Sequence, residues 1–112
     1  MNNYIVKYKE IKNSVIQANS SKEAIDLFLR DHKDAFVISA NDAENIQFKE
    51  IEISTLDNRE YFSTTVEELK RKGFDCEPVW SKENILFRNT TINKALNELT
   101  NLNVYGKVIS CK

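Results

Sequence analysis

Two stretches of the chain, seventy residues apart, run in the same order from a β-type segment into an amphipathic helix. Residues 15–21 read Val-Ile-Gln-Ala-Asn-Ser-Ser, and residues 85–91 read Ile-Leu-Phe-Arg-Asn-Thr-Thr. The paired hydroxyl residues are typical of helix N-termini, where their oxygens accept hydrogen bonds from free backbone N–H groups. Each predicted helix then leads to Val-Ile-Ser, at 37–39 and 108–110. Strands and helices that alternate in this way indicate an α+β chain.

Hydrophobic periodicity predicts the other elements around these two stretches. In chain order we expect strand 4–11, strand 14–19 after a turn at Lys12-Asn13, helix 21–33, strand 35–40, strand 46–53, a short helix ending at Lys72, a hairpin of 74–80 and 84–89, a helix from about 92 to 102, and strand 104–111. Only two glycines and one proline occur in 112 residues, which favours regular elements with short connections.

Three helix ends carry a specific signal. Ser20 and Glu23 have the spacing of a capping box, in which each side chain bonds a backbone N–H near the other. Thr64-Thr65 offers a cap for the short helix, and Gly73 suits the position just after its last turn. We therefore expect helix boundaries at these residues.

The strands carry signals of their own. Pro78 cannot donate a ladder hydrogen bond, so its strand should lie at an edge. The apolar phase slips between Phe48 and Ile51, which a bulge near Lys49-Glu50 would explain. The continuous apolar run at 35–40 is typical of a buried central strand.

These elements predict one α+β domain over residues 1–112, in which a mostly antiparallel sheet is covered by two long helices and one short helix. The matching order further suggests duplicated strand–strand–helix–strand halves, 3–53 and 74–112, joined by 54–73. The alternative is that capped helices following strands look alike without any duplication. A chain of this length is sufficient for one hydrophobic core.

The first half also resembles the DpnD/PcfM-like family of small proteins. The resemblance covers residues 3–53 and lies in the order strand, strand, capped helix, strand, strand, together with the run Ala-Asn-Ser-Ser-Lys-Glu-Ala at 18–24. Members of that family occur on mobile genetic elements. The resemblance therefore implies a phage or plasmid context, and it transfers no catalytic residue.

Composition and motifs disfavour several classes of function. The formal net charge is −1, so the chain as a whole is not a polycation suited to nucleic acid. His32 is the only histidine, and it forms no metal-ligand spacing with Cys76 and Cys111. Glycine-rich nucleotide-binding loops are also missing from the sequence. We expect no enzyme activity, no metal and no cofactor.

The start of the chain and its hydropathy indicate a compartment. Residues 1–6 lead directly into a β-type segment, without the basic and apolar regions of a secretory signal. No apolar stretch approaches the roughly twenty residues of a membrane span. We expect a cytoplasmic protein in which Cys76 and Cys111 are free thiols, with any redox role left open.

Negative charge is concentrated in one segment. Residues 41–60 contain six acidic and two basic side chains. Such a segment is either an ordinary solvated surface or a contact surface for a basic partner, and tyrosine or phenylalanine beside it could anchor an interface. The predicted partner-binding residues are Asp42, Glu44, Glu50, Glu52, Asp57, Glu60, Tyr61 and Phe62.

The leading hypothesis is a small protein-binding module that acts by occlusion. Its concrete form is a phage- or plasmid-encoded inhibitor of a host defence system, such as an anti-CRISPR, whose acidic segment meets a basic nucleic-acid-handling protein. A nucleic-acid-binding regulator is one alternative, and its candidate contacts are Lys70, Arg71, Lys72 and Arg88. A homodimeric structural module joined at a sheet edge is another.

Overall fold

The computed structural model describes residues 1–8, 12–35, 37–55 and 59–112. The elements in these residues are β1 Asn2–Tyr8, β2 Lys12–Ala18, α1 Ser21–Asp31, β3 Val37–Asp42, β4 Phe48–Ser54, a 3₁₀ turn Arg59–Tyr61, α2 Phe62–Arg71, β5 Asp75–Val79, β6 Asn84–Thr90, α3 Ile92–Asn101 and β7 Lys107–Cys111. Every strand pairing in the described part of the chain is antiparallel. The predicted α+β class with antiparallel strands is confirmed.

The strands form two sheets rather than the single sheet expected from the sequence. The first has the order β2-β1-β3 and the second the order β5-β6-β4-β7. Two compact units result, Met1–Asn45 and Ile46–Lys112. The prediction of a single sheet was wrong, because β4 pairs with β6 and β7, whereas β3 pairs with β1.

In the first unit, β1 is the central strand and packs against α1. Its residues Tyr4 and Val6 are buried together with Ala18, Ala24 and Phe28. The prediction that the apolar run at 35–40 forms the central strand was wrong, since β3 lies at the edge. An apolar run indicates that a strand is partly covered, but it does not indicate whether the strand pairs on one side or on both.

The predicted Ser20 cap at the start of α1 is confirmed, whereas the return bond from Glu23 goes to Asn19 rather than to Ser20. Ser20 Oγ accepts a hydrogen bond from the Glu23 N–H at 3.1 Å, and Glu23 Oε1 accepts one from the Asn19 N–H at 3.4 Å. The helix ends at Asp31, slightly before the predicted end, and His32 caps it through the Phe28 carbonyl. The Lys12-Asn13 turn was wrong, because both residues lie in β2 and pair with β1.

The second unit has a sheet with one apolar face. Ile51, Ile53, Ile85 and Phe87 are fully buried there. Helices α2 and α3 contribute further fully buried side chains, among them Leu99. Because side chains alternate along a strand, the residues between these apolar positions point to the opposite face of the sheet.

Two features of the strands follow the sequence predictions. The N–H groups of Lys49 and Glu50 both donate to the Lys112 carbonyl, at 2.9 and 3.3 Å, so two residues of β4 oppose one residue. This is the predicted bulge, and it keeps Phe48 and Ile51 buried despite their spacing. Pro78 lies in β5, at an edge of the sheet as predicted.

Gly73 terminates α2 as predicted. It has a φ of +96°, and its N–H donates to the Lys70 carbonyl at 3.0 Å. The next N–H, of Phe74, donates to the Leu69 carbonyl at 3.1 Å, which completes a Schellman motif. The C-terminus of α3 has the same pattern, with Asn103 in the left-handed position at a φ of +59°.

The start of α2 differs from the prediction. The helix begins at Phe62, directly after the 3₁₀ turn, and not at Thr64-Thr65. Thr65 is buried inside the helix, where its hydroxyl donates to the Tyr61 carbonyl at 2.9 Å. By contrast, Thr91 caps α3 as expected, accepting from the Lys94 N–H at 3.2 Å.

The predicted helix lengths and the duplication are not confirmed. The three helices contain 11, 10 and 10 residues, so they do not divide into two long and one short. The order strand–strand–helix–strand does occur twice, as β1-β2-α1-β3 and as β5-β6-α3-β7. However, β3 pairs with β1 whereas β7 pairs with β4, so the two sets of strands are connected differently.

Candidate functional site: the acidic face of the second sheet

The second sheet carries four carboxylates on the face opposite its apolar core. The strand register places Arg88 of β6 between Glu50 of β4 and Asp75 of β5. The next same-facing row, two residues along, holds Glu52 and Glu77 at the corresponding positions. We call Glu50, Glu52, Asp75 and Glu77 the acidic face. Arg88 contacts Asp75 and Glu77, and the four carboxylates outnumber this one guanidinium at these positions.

Arg88 is bound by two of these carboxylates. Its Nη2 lies 2.7 Å from Glu77 Oε1, and its Nη1 lies 3.6 Å from Asp75 Oδ1. The hydrogen bond with Glu77, with further attraction from Asp75 and Glu50, raises the pKa of Arg88 above its usual value. The Asp75 and Glu77 side chains are 60% and 51% exposed, so their remaining oxygens are accessible to a partner.

The other two carboxylates are less exposed. Glu52 Oε2 accepts a hydrogen bond of 2.6 Å from the Asn84 amide, and Asn84 itself is buried. Glu50 is one of the two residues of the bulge and is half-buried. The acidic face therefore combines two half-buried carboxylates on a central strand with two exposed ones on an edge strand.

Asp42, Glu44 and Glu60, three other acidic residues of the predicted surface, lie outside the strands of this sheet. Asp42 and Glu44 lie in the first unit, where they bond the start of β1. Asp42 Oδ2 accepts from the Asn2 side chain at 2.7 Å, and Glu44 Oε1 accepts from the Asn3 N–H at 2.7 Å. Glu60 is exposed in the 3₁₀ turn, and Asp57 lies outside the described residues.

The two aromatic residues of the predicted surface have different environments. Tyr61 is 63% exposed and lines a groove of about 350 Å³ with Leu102 and Val104. Phe62 is buried at 3% exposure, and its ring meets Trp80 edge-on with the centroids 5.3 Å apart. The Phe62 ring is therefore part of the core of this unit, and its role as an interface anchor stays a prediction.

Most of the basic residues proposed for nucleic acid are paired with carboxylates. Lys72 bonds Glu98, and Arg71 lies 2.9 Å from Glu68. Lys72 lowers the pKa of Glu98, chiefly through their hydrogen bond. Arg88 belongs to the acidic face. Lys72 and Arg88 also line one cavity of about 270 Å³ together with Asp75, so these cations lie beside carboxylates there too.

The chemistry of metals and thiols gives no second site. Among residues 1–8, 12–35, 37–55 and 59–112, no group of His, Cys, Asp and Glu side chains is arranged to hold a metal ion. Neither Cys76 nor Cys111 is in a disulfide in the described part of the chain, and they lie on β5 and β7, the opposite edges of the second sheet. Three strand spacings, about 14 Å, prevent them from bridging. Burial raises the pKa of the Cys76 thiol.

In the described part of the chain, none of the helices has both the length and the apolar character that a membrane crossing needs.

Sequence reasoning found half of the acidic face and missed the other half. Glu50 and Glu52 were candidates because they lie in the acidic segment, but Asp75 and Glu77 lie outside it. The alternation Asp75-Cys76-Glu77 already indicates two carboxylates on one face of a strand. What the alternation does not show is that β6 places that strand two positions from β4.

Comparisons of the chain with protein-family models, with curated proteins and with solved structures found no match.

Proposed function

We propose that this chain is a small protein-binding module that acts by occlusion, with its acidic face covering a basic surface of a partner protein. The observation that carries the proposal is the position of Glu50, Glu52, Asp75 and Glu77 on one sheet face. Complementary charge of this kind speeds encounter and selects partners. A sheet presents the four carboxylates on a rigid support.

A basic partner surface is commonly one that handles nucleic acid, because phosphates are bound by Lys and Arg. An acidic module bound there excludes the nucleic acid. The narrower form of the proposal is a cytoplasmic, phage- or plasmid-encoded inhibitor of a host defence system, of the anti-CRISPR kind. Its support is the resemblance of residues 3–53 to a family found on mobile elements, together with the charge of the acidic face.

The test is capture of a partner from a host lysate, with and without nuclease treatment, using tagged protein and two triple variants. Glu50→Gln, Asp75→Asn and Glu77→Gln together neutralise the acidic face but retain Glu52, which bonds the buried Asn84. The matched control is Asp26→Asn, Asp31→Asn and Glu67→Gln, which removes the same charge at exposed positions on α1 and α2.

We expect the wild type and the control to retain one protein at near-stoichiometric yield, and the acidic-face variant to lose it. The purified partner should then bind its nucleic acid less tightly when the wild-type chain is added. Equal capture by both triple variants would show that the acidic face is not the contact. If the captured protein is lost after nuclease treatment, the contact is with nucleic acid, and the surface around Lys70 becomes the candidate.

A further inference from the structure

Arg88 occupies the place on the acidic face that a cationic partner would take. Its guanidinium lies in the row that also contains Glu50 and Asp75, and it reaches diagonally to Glu77 at 2.7 Å. The side chain is 34% exposed, so the pair is not enclosed by the core. Within the chain itself, Asp75 and Glu77 therefore bind a guanidinium group.

We propose that Arg88 is an exchangeable internal ligand, displaced from Asp75 and Glu77 when a partner's arginine side chain binds the acidic face. This inference rests on the proposed function and names its partner chemistry as guanidinium. A partner's arginine can replace both contacts of Arg88, and the released Arg88 can turn toward solvent. A partner's arginine that displaces Arg88 forms ion pairs similar to those that Arg88 loses, so the exchange itself yields little free energy. Arg88 therefore lowers the affinity for partners that offer too few arginines.

The geometry favours arginine over lysine in the partner. Arg88 places two nitrogens of one planar group against two carboxylates, Nη2 on Glu77 and Nη1 toward Asp75. A guanidinium can address both at once, whereas an ammonium is a compact point charge without that fork. We therefore expect a strand or helix with several arginines to compete with Arg88 better than a lysine-rich segment of equal charge.

The experiment titrates the full chain with octa-arginine and octa-lysine peptides at low salt, using calorimetry. Variants Arg88→Gln and Arg88→Lys are compared with Lys94→Gln, which removes one positive charge from an exposed position on α3. Arg88→Gln should bind octa-arginine about two- to fivefold more tightly than Lys94→Gln does, the equivalent of one exposed ion pair. Arg88→Lys keeps the charge and replaces Arg88→Gln in the test if the Gln variant does not fold. It should also bind octa-arginine more tightly than the wild type does.

A second measurement follows the side chain itself. In ¹⁵N spectra of the wild type, the Arg88 Nε–H signal should move toward that of a free arginine as octa-arginine is added, and less so with octa-lysine.

The outcomes separate this inference from the proposed function. If the wild type binds neither peptide, the acidic face is not a cation-binding surface and the proposed function fails with it. If the wild type binds but Arg88→Gln gains no more than Lys94→Gln, or the Arg88 signal stays in place, Arg88 is a fixed structural residue and only the exchange is overturned. Equal affinity for the two peptides overturns the preference for arginine.

Discussion

Gly106 lies close against buried side chains of the second unit. A Cβ built there would lie 2.8 Å from Leu99 Cδ1 and 2.9 Å from Ile53 Cγ2, and both of those side chains are fully buried. Gly106→Ala should therefore lower the free energy of unfolding by about 1–3 kcal/mol through overpacking. Urea unfolding measures this change. An unchanged midpoint would show that the core has room for the methyl group.

The Lys72–Glu98 pair gives a pH dependence with a defined sign. Lys72 lowers the pKa of Glu98, so the pair stabilises the folded state while Glu98 is ionised. That contribution is lost as the pH falls below the usual carboxyl range and through the lowered pKa. The difference in unfolding free energy between wild type and Glu98→Gln should be present at neutral pH and absent in acid. Glu67→Gln, which makes the same charge change at an exposed position, is the control. A difference that persists in acid would contradict this prediction.

At the scale of elements, the two Schellman motifs offer a matched comparison. A Cβ at Gly73 would meet no heavy atom within 4 Å, so Gly73→Ala tests the backbone conformation alone. With a φ of +96°, alanine should destabilise the protein by about 1–2 kcal/mol. Asn103→Gly at the equivalent position of α3 should cost less, because glycine is the preferred residue there. Thermal unfolding measures the loss of stability in both variants. A loss for Asn103→Gly as large as that for Gly73→Ala would contradict this prediction.

The elements also show which predictions a sequence supports. The caps at Ser20 and Thr91, the terminus at Gly73 and the edge position of Pro78 follow from hydrogen bonds or dihedral angles of a few neighbouring residues. Thr65 was misread as a cap because the same hydroxyl also bonds a carbonyl one turn back inside a helix. The sequence does not distinguish these two uses of a threonine when neither the preceding turn nor the burial is known.

At the scale of the whole chain, what the sequence did not predict depends on distant pairings. The division into two sheets is set by β4, whose partners begin more than thirty residues later in the chain. The acidic face has the same origin, because β6 brings Asp75 and Glu77 into the rows of Glu50 and Glu52. The distribution of charge along the chain therefore identifies Glu50 and Glu52. Only the register of the paired strands identifies Asp75 and Glu77.

The last prediction concerns the second unit on its own. Its sheet and both of its helices lie within Ile46–Lys112, and the fully buried Ile51, Ile85, Phe87 and Leu99 are all in this segment. A chain of this size can bury about 60% of its unfolded surface, which is enough for a marginally stable domain. We expect residues 46–112 to unfold cooperatively in urea and to bind octa-arginine with the affinity of the full chain.

Residues 1–45 provide the comparison, since a segment near 40 residues usually needs a disulfide or a metal to fold alone. That segment contains no cysteine, so it should show no cooperative transition. If residues 46–112 also lack one, the second unit depends on the first for its stability, and the acidic face is then a property of the whole chain. If the fragment folds but loses the peptide, residues outside the acidic face contribute to binding, and Asp42 and Glu44 become the carboxylates to neutralise next.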